Sequence, residues 1–291
     1  MHFGLQIPYA VRASRNDLLT FMTRADSGLF RTVSIGERIT YENADQYVAL
    51  AAAAAVTSRV RLLANVSVLP LHAPALSAKA FATIDQLSEG RLIVTPGVGS
   101  RTEDFAAVSA SMSHRWQRLD DSVNAMRRIW RGEPAEPSGT VLGPPPFREG
   151  GPVLHCSALG PKALQRAVKW ACGYQGFTPN GSKDEMMSVA VRVKAAFADA
   201  GCPPPELGVS CFFALGNHSL QRLRYVVGRY FGYADPALRE AIIQSLTIAS
   251  PRAITETVKN AEAAGFDEVH FNPTTVEHTE IDRLESVLAN L

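Results

Sequence analysis

Short apolar runs alternate along the whole chain with stretches whose apolar residues recur every three or four positions. The first pattern predicts strands over residues 2–7, 32–36, 60–69, 92–98, 153–156, 173–177, 207–215 and 268–271. The second predicts helices over 16–26, 45–55, 74–87, 113–131, 161–170, 183–200 and 277–288. A longer helical region spans 219–264, broken at Asp235-Pro236 and Ser250-Pro251. Local punctuation agrees: Asp45 suits an N-cap, Pro74 a first turn, and Gly90 a helix stop. The run over 60–69 clusters Val and Leu, as a strand buried on both faces should. Leu119, Val123, Met126, Ile129 and Trp130 mark one face of the helix over 113–131, with Trp116 expected to pack the same way. Between Gly132 and Gly151 lie five prolines, so 132–151 reads as an irregular excursion.

Strands that alternate with helices imply a parallel sheet, and eight such pairs imply closure into a (β/α)8 TIM barrel of the α/β class. An open doubly wound sheet is the competing fold. It would carry a Gly-rich dinucleotide fingerprint after the first strand, and none is there. No low-complexity linker divides the chain, so residues 1–291 are expected to form one barrel domain.

Composition narrows the function classes. The chain is 46% hydrophobic and 20% charged, with net charge +1 and no Lys/Arg cluster, so no nucleic-acid partner is expected. Its longest apolar run, residues 47–56, is well short of the ~20 residues of a membrane span, so no membrane partner is expected either. The first residues lack the basic and apolar regions of a secretion signal, and the chain reads as cytoplasmic. Four cysteines without a CxxC pair are expected as small buried hydrophobes. Seven scattered histidines form no HxH or HxxxH pair, so no metal site is expected.

In such a barrel the chemistry sits at the carboxyl ends of the strands. After the second strand come Glu37 and Arg38: the first suits proton transfer to or from a substrate, the second an anionic group. A plain ion pair or solvated loop is the simpler alternative. His72, after the third strand, is the other acid/base candidate, although a lone histidine is more often structural. His155 and His270 fall inside strand patterns and read as core or rim. Ser157-Ala158-Leu159-Gly160-Pro161 opens a helix, and its backbone N–H groups suit a phosphate as well as an ordinary cap.

Several segments together resemble the luciferase-like monooxygenase superfamily. They are residues 47–74, with Thr57-Ser58-Arg59-Val60-Arg61-Leu62 and Val68-Leu69-Pro70-Leu71, then Ala82-Thr83-Ile84-Asp85-Gln86-Leu87-Ser88-Glu89-Gly90-Arg91-Leu92. Gly97-Val98-Gly99, Glu103-Asp104-Phe105, Arg118-Leu119-Asp120 and Met126-Arg127-Arg128-Ile129-Trp130 continue the likeness. The resemblance implies a flavin-type tricyclic ring in the barrel mouth, beside Gly97 and against a non-prolyl cis peptide at Asn65-Val66. It also implies a cofactor phosphate at Ser157, Ala158, Leu159, Gly160 and Pro161, completed by Gly176, Phe177 and Thr178.

Gly36-Glu37-Arg38 resembles members that use the deazaflavin coenzyme F-420, which makes hydride transfer to a small organic substrate the expected reaction. FMN-dependent, luciferase-like monooxygenation is the alternative, and a non-catalytic barrel acting as a binding or partner subunit is the second. Barrels of this family commonly pair, so a homodimer is compatible with the resemblance. Three departures bear on the substrate: a short stretch between Arg38 and Asp45, Ala64-Asn65 where Thr-Gly is common, and Ser100-Arg101 where an aromatic commonly follows.

Overall fold

The computed structural model describes residues 1–135, 139–158 and 160–291. Its strands are β1 (His2–Gln6), β2 (Thr32–Ile35), β3 (Arg61–Val68), β4 (Leu92–Gly97), β5 (Val153–Cys156), β6 (Gly173–Phe177), β7 (Glu206–Phe213) and β8 (Glu268–Pro273). Each pairs in parallel with the next, and β8 returns to pair with β1. The sheet therefore closes into the (β/α)8 barrel that the alternating pattern predicts.

Around it, among the described residues, run α1 (Arg15–Ser27), α2 (Gln46–Val56), α3 (Pro74–Leu87), α4 (Thr102–Ala107), α5 (Arg115–Trp130) and α6 (Pro161–Ala167). α7 (Lys183–Asp199), α8 (Ser219–Tyr230), α9 (Pro236–Ser245), α10 (Pro251–Ala263) and α11 (Thr279–Leu288) complete the layer. The caps explain the boundaries. Asp45 accepts the Val48 N–H at 2.9 Å, and Asp235 and Ser250 cap α9 and α10 just ahead of their first-turn prolines. The two predicted breaks are thus starts of new helices. The short helix α4 was not predicted, because six residues carry too little periodicity to register. α6 stops at Ala167, three residues before the expected end at 170, and Trp170 closes a turn onto Ala167.

Two layers of burial follow from strand alternation. Leu5, Val33, Leu62, Val94, Leu207 and Val269 join Phe21, Leu50, Phe81 and Met126 of the helices in one apolar core. The barrel interior is polar instead: along β8, Glu268, His270 and Asn272 alternate with Val269 and Phe271, and all are buried. Arg61 bridges Glu206 at 2.8 Å and Glu268, so the interior charges are paired, as burial requires. A Cβ at Gly4 would lie 2.2 Å from Nδ1 of His270, so the glycine makes room for that ring.

Some expectations for single residues change. Trp130 is buried and donates its Nε1–H to Ala78 O at 3.0 Å, but Trp116 is 40% exposed, with the Arg166 guanidinium over its ring. Cys156 and Cys211 are buried as expected; Cys172 is exposed and Cys202 half-buried, both near the amino-terminal side of barrel strands. Part of the 132–151 excursion, residues 136–138, lies outside the described residues, as does Leu159. Among the described residues no helix is long and apolar enough to cross a membrane.

Candidate active site at the carboxyl end of the barrel

A cavity of about 380 Å³ opens at the carboxyl ends of the strands. Glu37, Arg38, Asn65, Val66, Gly97, Ser157, Gly176 and Phe177, all expected at a site, line it. The Asn65–Val66 peptide is cis, and the β3–β4 register shifts between Asn65 and Ser67 at that bond. Gly97 on β4 has a steric cause: a Cβ there would lie 2.1 Å from Val66 Cγ1. Val66 thus reaches the cavity wall only because its neighbour has no side chain.

Glu37 and Arg38 form neither a pair with each other nor a solvated loop; both are buried. The Glu37 carboxylate accepts the Val68 N–H at 2.5 Å through Oε2, and Oε1 lies 2.6 Å from His72 Nε2. Burial pulls the His72 pKa down, but the hydrogen bond and charge of Glu37 outweigh it and raise the net value. The Tyr47 ring stands edge-on to His72 at 5.1 Å and holds it in place. His72 itself is not in the cavity wall; it acts on the cavity only through Glu37.

Arg38 projects the other way. Its guanidinium lies over the Tyr230 ring, 3.4 Å from the centroid, with Tyr233 at 5.0 Å and Tyr41 at 5.4 Å. Nη1 donates to the Tyr230 carbonyl at 2.7 Å. Tyr230 also hydrogen-bonds Tyr9, and burial with the neighbouring Tyr230 charge pushes the Tyr9 phenol well above its ordinary range.

The expected phosphate segment is only partly at the cavity. Ser157 lines it, and Ser157 with Ala158 also lines a narrow adjoining cleft. Gly160 and Pro161 start α6 and lie outside both walls. Thr178 does not line the cavity; it is buried, and its hydroxyl accepts the Gly181 N–H at 3.0 Å to close a turn.

Several wall residues were not anticipated: Tyr9, Phe212, Tyr230, Tyr233 and Asn272; Arg101, noted as a departure from the family pattern, joins them. Tyr9 follows β1, while Phe212 and Asn272 end β7 and β8, so strand-end reasoning applied to every strand finds them. Tyr230 ends α8 and Tyr233 lies in the break before α9, where the run Tyr230-Phe231-Gly232-Tyr233 was an available signal.

The residues present fit a flavin-type ring. The side-chain amides of Gln6 and Asn272 meet the cavity with a buried polar atom each that has no hydrogen-bond partner among the described residues. Asn65 and Ser210, joined at 3.1 Å, lie on the same wall. Such amides match the alternating donors and acceptors on the polar edge of that ring. Among the described residues no cluster of His, Cys, Asp and Glu could hold a metal ion.

Several known proteins resemble this chain. A 5,10-methylenetetrahydromethanopterin reductase of Archaeoglobus fulgidus is 28% identical, over 77% of this chain and 69% of its own length. An FMNH(2)-dependent dimethylsulfone monooxygenase of Pseudomonas fluorescens is 28% identical, over 62% of this chain and 51% of its own. An uncharacterized protein of Mycobacterium tuberculosis is 34% identical over 43% of the chain; the match spans 46% of that relative, about half its length. Monooxygenase RslO1 of Streptomyces bottropensis superposes with a TM-score of 0.80 at 22% identity, covering 100% of this chain and 98% of that one, and so shares the fold. The sequence profile for the luciferase-like monooxygenases matches residues 1–246, and the chain belongs to that family.

Proposed function

We propose that this chain is an oxidoreductase that holds coenzyme F-420 in the cavity at the carboxyl end of the barrel and exchanges a hydride with a small organic substrate. The observation that carries this reading is the pairing of Glu37, in the cavity wall, with His72 behind it. Taking a hydride from a carbinol carbon requires a base for the hydroxyl proton, and the reverse reaction requires an acid. Glu37 faces the cavity, and the imidazole behind it, with its raised pKa, keeps a proton within reach. The deazaflavin, when bound, supplies the hydride chemistry and does not activate oxygen.

This chain's own residues do the rest. Gln6, Asn65 and Asn272 would hold the ring's polar edge, Val66 would support its face, and Ser157, Gly176 and Phe177 would take the phosphate side; all of them line the cavity. The likeness to a reductase of Archaeoglobus fulgidus over most of the chain supports the reading.

A second reading, FMN-dependent monooxygenation, is favoured by the dimethylsulfone monooxygenase relative. Titrating the purified chain with F-420 and with FMN, read by cofactor fluorescence, separates the two. Micromolar or tighter binding of F-420 is expected. Binding of FMN alone would replace the first reading by the second, and binding of neither leaves the non-catalytic barrel as the conclusion.

A further inference from the structure

The cavity wall carries two carboxylates, Glu37 and Asp104, and two guanidinium groups, Arg38 and Arg101. Three of these four are already matched. Glu37 is taken by His72 and the Val68 N–H. Asp104 accepts the Thr40 N–H at 2.8 Å and the Thr40 hydroxyl at 2.5 Å, and Arg101 lies 3.4 Å from its other oxygen. Arg38 remains, 8% exposed, with no carboxylate within ion-pair distance among the described residues.

A buried charge without a counter-ion is costly, and tyrosine faces offset only part of that cost. The cage does something else: it holds the guanidinium plane in one orientation. Tyr230 stacks beneath it and also receives one of its five N–H groups on its carbonyl oxygen. A guanidinium fixed in this way presents a flat fork that fits the two oxygens of a carboxylate. The surrounding wall is aromatic: Tyr9, Phe212, Phe231 and Tyr233 face the same space. An apolar, planar body therefore fits beside the fork.

We infer that Arg38 is the specificity-determining anchor for a carboxylate on the substrate, and that the substrate class is a small carboxylic acid with an aromatic or otherwise apolar body. The inference rests on the proposed cofactor cavity for its reaction, but not for its binding. An anionic oxygen of the cofactor is the competing source of the same chemistry.

The test uses benzoate and its neutral isostere benzamide, titrated calorimetrically onto the full chain alone and with F-420 or FMN. Wild type is expected to bind benzoate at least tenfold more tightly than benzamide. Arg38→Met should abolish that preference, Arg38→Lys should keep part of it, and cofactor affinity should change by less than twofold in either. Equal binding of the two probes by wild type, or binding of neither, overturns the inference without needing any variant to fold. So does a benzoate preference that survives in Arg38→Met. A tenfold loss of cofactor affinity in Arg38→Met, with the preference intact, would reassign the fork to the cofactor. If neither cofactor binds but the benzoate preference holds and is lost in Arg38→Met, the oxidoreductase reading fails and the anion site stands.

Discussion

His72 Nε2 and Glu37 Oε1 lie 2.6 Å apart, although the residues are 35 positions apart in sequence and only Glu37 meets the cavity. The strand ends bring them together: Glu37 follows β2, and His72 follows the turn that ends β3. Their contact raises the proton affinity of His72, just behind the cavity wall.

That coupling fixes a direction for pH dependence. The His72 pKa is raised above 6.5 in the folded chain, despite burial, because Glu37 stabilises the imidazolium. Its contribution to stability is complete below pH 6.5 and is lost as pH rises through the raised value. Thermal melts of wild type and His72→Asn should therefore differ most below pH 6.5 and converge above the raised value. A gap that widens on the alkaline side would contradict the pairing. On the proposed reaction, Glu37→Gln should lower kcat by about 10²-fold or more with little change in cofactor affinity.

Gly97→Ala tests the packing that brings Val66 to the cavity. The added Cβ would lie 2.1 Å from Val66 Cγ1, so Val66 or the β4 backbone must move. Overpacking of this kind costs about 1–3 kcal/mol. Urea denaturation should show that loss, together with weaker cofactor binding. Unchanged values for both would mean that Val66 does not shape the site.

Arg61 offers a stability prediction at the opposite end of the barrel. It pairs with Glu206 and with Glu268, whose side chain is 1% exposed. Arg61→Met leaves the Glu268 charge buried beside a thioether and should cost about 3–5 kcal/mol. A loss below about 1 kcal/mol in a chemical denaturation curve would show that the interior charges do not depend on this arginine.

Acid should destabilise the fold through His155. Burial is the main cause that brings its pKa down to about 4; Arg61 and His270 push the same way and Glu206 opposes them. The unfolded chain, with an ordinary value of 6.5, binds this proton more readily. Stability should therefore fall as pH drops from 6.5 towards 4, by up to roughly 3 kcal/mol from this residue. His155→Gln should flatten that slope; an unaltered acid limb in denaturation midpoints would place the sensitivity elsewhere.

The sequence by itself determined the order and type of the elements and the closure they imply. Strand alternation and helix period are local properties, and caps such as Asp45 act on N–H groups within the same turn. Glu37 and Arg38 were legible for the related reason that strand ends converge in a barrel, and Asn65 and Gly97 through the family resemblance. Contacts across the barrel were not. Arg38 rests on Tyr230, 192 positions away, and no pattern within either segment encodes that meeting. The resemblance suggests Thr178 as a cofactor contact, and only the folded chain shows its hydroxyl accepting the Gly181 N–H in a turn outside the cavity lining. The tertiary structure decided which charges are matched, because pairing depends on distance in space. It left Glu37 with His72 and Arg38 with a ring of tyrosines.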